Sequence, residues 1–188
     1  MKRIIISLIA ASLALTSAFA LSGCGSQSSS SSKSEAKSEA SADASKGDSQ
    51  SGAIPASDAV FSYNGASVEL NTPMDDVLKN LGEAKNVSSQ TSCHGKGEDF
   101  TYEYEGFIVN TYPLDGKNMV LEVVVKAEGI PTSKGIKVGS TAEEVKAAYG
   151  DNFKEVGIYY AYAAGKKKSL QFLIEDGTVK EIDYYYNV

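Results

Sequence analysis

The sequence predicts an α+β protein made of two tandem repeats, each a helix packed on an antiparallel β-meander. Three observations predict it. Residues 136–150, I-K-V-G-S-T-A-E-E-V-K-A-A-Y-G, read as strand, helix cap, helix and glycine stop, and residues 68–82, V-E-L-N-T-P-M-D-D-V-L-K-N-L-G, follow the same plan sixty-eight positions earlier. After each segment, apolar and polar residues alternate with the period of two that marks half-buried strands. Asp115-Gly116 and Asp176-Gly177 then stand at corresponding places as hairpin turns. A helix followed by a meander buries its apolar stripe on one sheet face, the α+β layer arrangement. The correspondence is one of pattern, since only Val77 with Val145 and Gly82 with Gly150 are identical in the overlay.

Taken in order, the chain is expected to divide into a signal peptide (1–23), a segment that opens on Cys24 and continues as a Ser-rich tether (24–52), a first repeat (53–128) and a second (129–188). Lys2 and Arg3 form a positive start, residues 4–15 are almost unbroken apolar, and small residues follow, the layout of a secretory signal. Ala18-Phe19-Ala20 has the form of an ordinary secretory cleavage site. The apolar run is at the short end of what spans a bilayer. Residues 25–52 hold Ser, Ala, Gly and Gln without apolar periodicity, a composition that cannot offset its own ordering entropy. As a coil such a tether reaches roughly 30 Å.

In the first repeat, Asn64-Gly65 suits a type I′ hairpin turn between two short strands. Thr72 is the expected helix cap, with Pro73 at the first helical position, Asp75 in the first turn and Gly82 as the stop. Val77, Leu78 and Leu81 form its apolar face. Residues 90–99 are polar and glycine-containing, hence a loop. Three strands are expected after it, over 100–104, 107–112 and 119–126. In the second repeat, Ser140 with Glu143 gives the expected capping box. Ala142, Val145 and Tyr149 face the core, and Gly150 closes the helix. Strands follow around Ile158 to Tyr162, Leu170 to Ile174 and 179–186, with Lys166, Lys167 and Lys168 in a charged turn.

Two resemblances rest on these residues. Leu21-Ser22-Gly23-Cys24 resembles the lipobox of bacterial lipoproteins, in which the cysteine thiol takes a diacylglyceryl group and the peptide is cut just before it. That resemblance implies that Cys24 is the lipid attachment site and that the protein is held at the cell membrane, facing away from the cytoplasm. Stable anchoring takes two or more acyl chains. From about residue 60 to 188, Gly139-Ser140-Thr141-Ala142-Glu143-Glu144-Val145, Tyr149-Gly150, Tyr160 and Tyr162, Leu170 and Phe172, and Asp176-Gly177 look like the repeats of β-lactamase-inhibitor-protein-like domains. More narrowly, Ser92-Cys93-His94-Gly95, Tyr102-Glu103-Tyr104, Thr111-Tyr112, Lys134-Gly135-Ile136 and Ala148-Tyr149-Gly150 are similar to a group of lipoproteins from Clostridium-like Firmicutes. The inhibitor family binds other proteins through sheet faces, which implies a binding role without assigning any inhibitory residue.

The chemistry-bearing residues are few. The formal charge is −6, and from residue 53 onward the chain carries 20 acidic and 13 basic residues, which argues against nucleic acid or anionic lipid as a partner. Asp75, Asp76, Glu143 and Glu144 are accounted for by the dipole of the helix first turn. No phosphate-binding glycine loop and no cofactor motif occurs. Cys93 and His94 are the one adjacent nucleophile and base, but neighbours on an extended chain point apart, and as metal ligands they are two where structural zinc takes four. A cysteine here reads as a small residue buried under the loop. All eleven tyrosines lie between Tyr63 and Tyr186. Those left outside the core, with Tyr102, Tyr104, Tyr159 and Tyr185 as candidates, would make the aromatic surface that protein interfaces favour. The expected function is a lipid-anchored extracytoplasmic module that binds a protein or cell-envelope partner through this sheet face. An envelope enzyme using Cys93 and His94, and a structural assembly lipoprotein, are the alternative readings.

Overall fold

The computed structural model describes residues 53–188. The expected signal peptide, the expected lipid site Cys24 and the expected tether lie outside the described residues. A short 3₁₀ turn, Ala56–Ala59, leads into a hairpin of β1 (Val60–Tyr63) and β2 (Ala66–Glu69). Its turn is Asn64-Gly65 with φ of 49° and 83°, the positive values that a I′ turn requires. Helix α1 (Met74–Leu81) follows, then β3 (Asn86–Thr91), β4 (Glu98–Glu103), β5 (Phe107–Leu114) and β6 (Lys117–Val125). After a connection comes α2 (Ala142–Tyr149), then β7 (Lys154–Val156), β8 (Tyr159–Ala163), β9 (Lys168–Glu175) and β10 (Thr178–Tyr186).

The expected α+β pair of tandem helix-on-meander repeats is overturned. β3 to β10 form one eight-stranded antiparallel sheet in the order β3-β4-β5-β6-β10-β9-β8-β7. Strands take up 47% of the described residues and helices 15%, so the class is mainly β. The last strand of the chain returns to the middle of the sheet and pairs with β6, Tyr184 opposite Val123 and Ile182 opposite Val125. Two separate meanders would each leave a long, apolar, unpaired edge there. Joining them removes both edges and leaves polar or short strands, β3 and β7, outside.

Each run also has one strand more than expected. β3, N-V-S-S-Q-T, is exposed along its whole length and so has no apolar alternation to reveal it. β7 is three exposed residues. Both form because β4 and β8 offer open edges to pair with. The loop expected over 90–99 shrinks to the connection between β3 and β4.

The helix bounds obey the sixty-eight-residue offset, Met74–Leu81 and Ala142–Tyr149. The caps do not fall where expected. Thr72 Oγ1 donates to the Glu69 carbonyl at 2.7 Å, and Pro73 occupies the cap position of α1 without a side-chain bond. Ser140 Oγ accepts the Lys137 N–H at 3.2 Å. The capping box belongs instead to Thr141 and Glu144: the Glu144 N–H donates to Thr141 Oγ1 at 3.2 Å, and the Thr141 N–H donates to Glu144 Oε2 at 2.7 Å. At each helix entry the backbone clamps onto the sheet in the same way. Val120 N donates to Thr72 O, and Val179 N donates to Ser140 O, both at 2.8 Å.

One core lies between the sheet and the layer of helices and hairpin. Phe61 of β1 meets Phe107 and Tyr184, with centroids 4.8 and 5.6 Å apart. Tyr149 of α2 meets Tyr162 and Phe172. Val77 and Met74 of α1 and Val145 of α2 are buried in the same cluster, while Leu78 and Leu81 pack against it partly buried. Buried tyrosines satisfy their hydroxyls: Tyr162 donates to the Gly150 carbonyl at 2.8 Å, and Tyr149 to Thr132 Oγ1 at 2.8 Å. Gly106 (φ 83°) turns β4 into β5 directly against Ala127, whose Cβ occupies the space a side chain would need. Its carbonyl accepts from both Lys126 N and Ala127 N.

Candidate functional site: the open face of the sheet

Helices and hairpin cover one face of the large sheet. Among the described residues no element packs on the other. Strand register places the residues of that open face in rows. Asn110, Glu122, Tyr185 and Ser169 lie side by side across β5, β6, β10 and β9. In the next row stand Ile108, Val124, Asp183, Gln171 and Ala161. Beyond it, Leu173 pairs with Glu181 on one side and Tyr159 on the other.

The four candidate tyrosines divide between the faces. Tyr159 and Tyr185 lie half-buried on the open face. Tyr102 pairs with Val109, a core residue, and so faces the covered side. Tyr104 stacks on Phe107, with centroids 4.8 Å apart, and donates to the Gly82 carbonyl at 3.0 Å, closing the end of α1.

The centre of the open face is acidic. Asp183 is 8% exposed, its Oδ1 has no hydrogen-bond partner, and its charged neighbours are Glu122, Glu181 and, opposing them, Lys126. Burial, reinforced by those two carboxylates, pushes its pKa up to about 8. Burial also raises Glu122, against the pull of Asn110, whose Nδ2 donates to Glu122 Oε2 at 2.8 Å. Thr101 Oγ1 donates to Asn110 Oδ1 at 2.9 Å, so a polar chain runs from β4 to β6. Lys126 Nζ stands 3.2 Å from Glu181 Oε2. Tyr159 donates to Glu181 Oε1 at 3.2 Å, and burial with the surrounding carboxylates raises its pKa to about 12.

Toward the β8–β9 turn the face changes sign. A shallow groove of about 940 Å³ opens there, lined by four lysines and no carboxylate. Ala161, Ala163 and Ser169 line it because their positions alternate onto this face, and small side chains leave room between Tyr185 and the β7 edge. Lys154 and Lys166 have no acidic partner among the described residues. Lys167 sits over the Tyr186 ring, 5.6 Å from its centroid, and Lys168 reaches toward Glu69 at 4.0 Å. From the sequence, the three consecutive lysines read first as a solvated turn and second as a dock for an anionic polymer. The missed signal was the run of alanines on one face just before them.

Cys93 and His94 lie off this face, in the connection between β3 and β4. The reading of Cys93 as a buried packing residue is corrected, because its side chain is exposed. Nor do the two neighbours point apart: Sγ lies 3.7 Å from Nδ1. The chain is bent here, with Ser92 N donating to the Gly97 carbonyl and His94 N to Ser92 Oγ, both at 3.0 Å. Asp99 joins them, a residue the sequence reading did not single out.

No family model and no curated protein matches the chain. Among solved structures, it is similar to the uncharacterized protein yfeY from Escherichia coli, with 15% identity, a TM-score of 0.42, and coverage of 63% of this chain and 92% of that one. It is also similar to YjgB, a DUF4309 family protein from Bacillus subtilis, with 16% identity, a TM-score of 0.43, and coverage of 70% and 90%. An extracellular protein with an SCP domain from Bacillus anthracis matches at 15% identity and a TM-score of 0.37, covering 62% of this chain and 44% of that one. Likenesses of this degree assign no function.

Proposed function

We propose that this protein is a lipid-anchored, extracytoplasmic binding module, held to the membrane through Cys24, whose open sheet face takes an anionic ligand of the cell envelope. The observation that carries the ligand class is the groove beside Tyr185, where no carboxylate lines the wall and Lys154 and Lys166 stand without an acidic partner among the described residues, on a chain of net charge −6. A local positive site on an acidic protein attracts anions to one place and repels them elsewhere, which supports specificity more than raw affinity. The small residues along the groove admit an extended chain, and Tyr185 offers a flat wall with a hydroxyl. The lipobox at Leu21 to Cys24 and the Ser-rich tether support the location. Among the described residues no helix is long and apolar enough to cross a membrane.

Titration of the full chain in detergent micelles with a poly(glycerol phosphate) oligomer tests the ligand class. Saturable binding is expected, weakened by added salt. Lys154→Glu with Lys166→Glu should weaken it about tenfold or more, and a neutral oligosaccharide of equal length should not bind. Equal binding by the wild type and the double variant refutes the site. For the anchor, cells fed an alkyne fatty acid should label the wild type and leave Cys24→Ala unlabelled. Label retained in Cys24→Ala removes Cys24 as the lipid site.

A further inference from the structure

The connection between β3 and β4 gathers three donor atoms of different chemistry. Cys93 Sγ is 3.7 Å from His94 Nδ1, and His94 Nδ1 is 3.5 Å from Asp99 Oδ2. All three atoms lie within 4.8 Å of one another. The Asp99 side chain is 12% exposed and its Oδ1 is buried without a hydrogen-bond partner. Oδ2 is the oxygen that faces His94 while Oδ1 has no partner, and a carboxylate so poorly paired is costly unless a cation engages it. The frame around it is firm. Gly95 and Gly97 approach Pro113 so closely that added side chains would press on it, and the His94 ring stands edge-on to Tyr112 at 6.2 Å.

We propose that Cys93, His94 and Asp99 form a zinc-binding site with its fourth position open to solvent. A nucleophile relay needs the thiol at one imidazole nitrogen and the carboxylate at the other. Here both approach Nδ1, which has a single lone pair or a single proton to offer. A cation satisfies all three donors at once. In tetrahedral zinc, Zn–S of about 2.3 Å with Zn–N and Zn–O of about 2.1 Å puts sulfur and nitrogen about 3.6 Å apart, and nitrogen and oxygen about 3.4 Å apart. The sulfur–nitrogen and nitrogen–oxygen distances in the loop match these, and the sulfur–oxygen separation, within 4.8 Å, closes to the tetrahedral value of about 3.6 Å by rotation of the exposed Cys93 side chain. Thiolate and imidazole donors select zinc over magnesium and calcium, which take oxygen. On binding, the Cys93 thiol releases its proton to solvent and the neutral imidazole presents the Nδ1 lone pair. The thiolate and the Asp99 carboxylate then balance the charge of the ion. Three ligands leave one place for water or for a donor from a partner molecule.

The test is a cobalt titration of the full chain in detergent micelles, followed by zinc. Cobalt should produce a thiolate-to-metal charge-transfer band with tetrahedral ligand-field absorption, and zinc should bleach both. Cys93→Ser should abolish the charge-transfer band. His94→Ala and Asp99→Asn should each weaken zinc about tenfold or more, since even partners of ligands cost that much. Absence of the band, its survival in Cys93→Ser, or unchanged zinc affinity in both other variants overturns the proposal. A second measurement needs no variant: zinc should slow alkylation of Cys93 in the wild type, and an unchanged rate also refutes the site.

Discussion

Replacing Asp183 by Asn should stabilise the protein at pH 8 and leave it nearly unchanged at pH 4. Asp183 is buried on the open sheet face beside Glu122 and Glu181, and its pKa rises from an ordinary 3.8 to about 8. A group whose folded pKa lies above its unfolded value holds its proton in the native state after the unfolded chain has lost it. Between those two pH values the unfolded state binds fewer protons, so stability falls as pH rises. The full effect is present below pH 4 and lost by pH 8. At about 1.4 kcal/mol per pH unit, the ceiling is about 6 kcal/mol. That approaches the whole stability of an ordinary domain, about 5–15 kcal/mol. A carboxylate at a sheet surface gains access to water through small strand movements, which brings the realised loss to about 2–3 kcal/mol. Asn keeps the shape, carries no charge, and offers its amide to the two flanking carboxylates. Urea melts of the wild type and Asp183→Asn at pH 4, 6 and 8 measure the difference. A gap that widens with pH is expected. A constant gap, or a variant less stable at pH 8, refutes the assignment.

Three further outcomes follow from named contacts. Gly106→Ala must accommodate a methyl against Ala127 at a φ of 83°, and should cost about 2–3 kcal/mol in chemical denaturation. Thr141→Ala removes one half of the α2 capping box and should cost about 1 kcal/mol, while Ser140→Ala at the neighbouring position should leave the helix cap intact. Lys134→Ala removes the cation 3.1 Å from the Asp58 carboxylate, whose side chain is 11% exposed, and should cost about 1–3 kcal/mol that Asp58→Asn in the same chain partly restores.

The sequence made local punctuation legible and hid what depends on distant pairing. The Asn64-Gly65, Asp115-Gly116 and Asp176-Gly177 turns all have two residues at positive φ, as their chemistry demands. Helix bounds could be read from the glycine stops, because Gly82 and Gly150 each donate their N–H back to the last turn. The caps were misplaced by one residue, since Ser140 and Thr141 have equivalent side chains and only the backbone decides which one faces Glu144. β3 was invisible because a strand exposed on both faces has no period to detect. The return of β10 to β6 was invisible because β10 is apolar enough to sit at an edge or in the middle, and composition alone does not choose. Tyr159 and Tyr185 could be picked out as surface tyrosines by alternation, but the face they share could not, since that depends on register across the three strands β8, β9 and β10. Asp99 was missed because its link to Cys93 and His94 runs through a bent connection rather than a fixed spacing.

The β6–β10 seam gives the open face its chemistry, and this is testable through one carboxyl group. Glu122 comes from the first run of strands, Asp183 and Glu181 from the second, and they meet only because Tyr185 pairs with Glu122 and Asp183 with Val124. The high pKa of Asp183 is caused first by burial and next by Glu122, so it reports on whether the seam is closed. Glu122→Gln leaves the burial in place and removes that charge. Carboxyl-carbon NMR of Asp183 should show its apparent pKa falling from about 8 while staying above the ordinary carboxylate range. Were the two runs of strands independent, the substitution on β6 would leave the titration of a residue on β10 unmoved, and the single continuous sheet would be wrong.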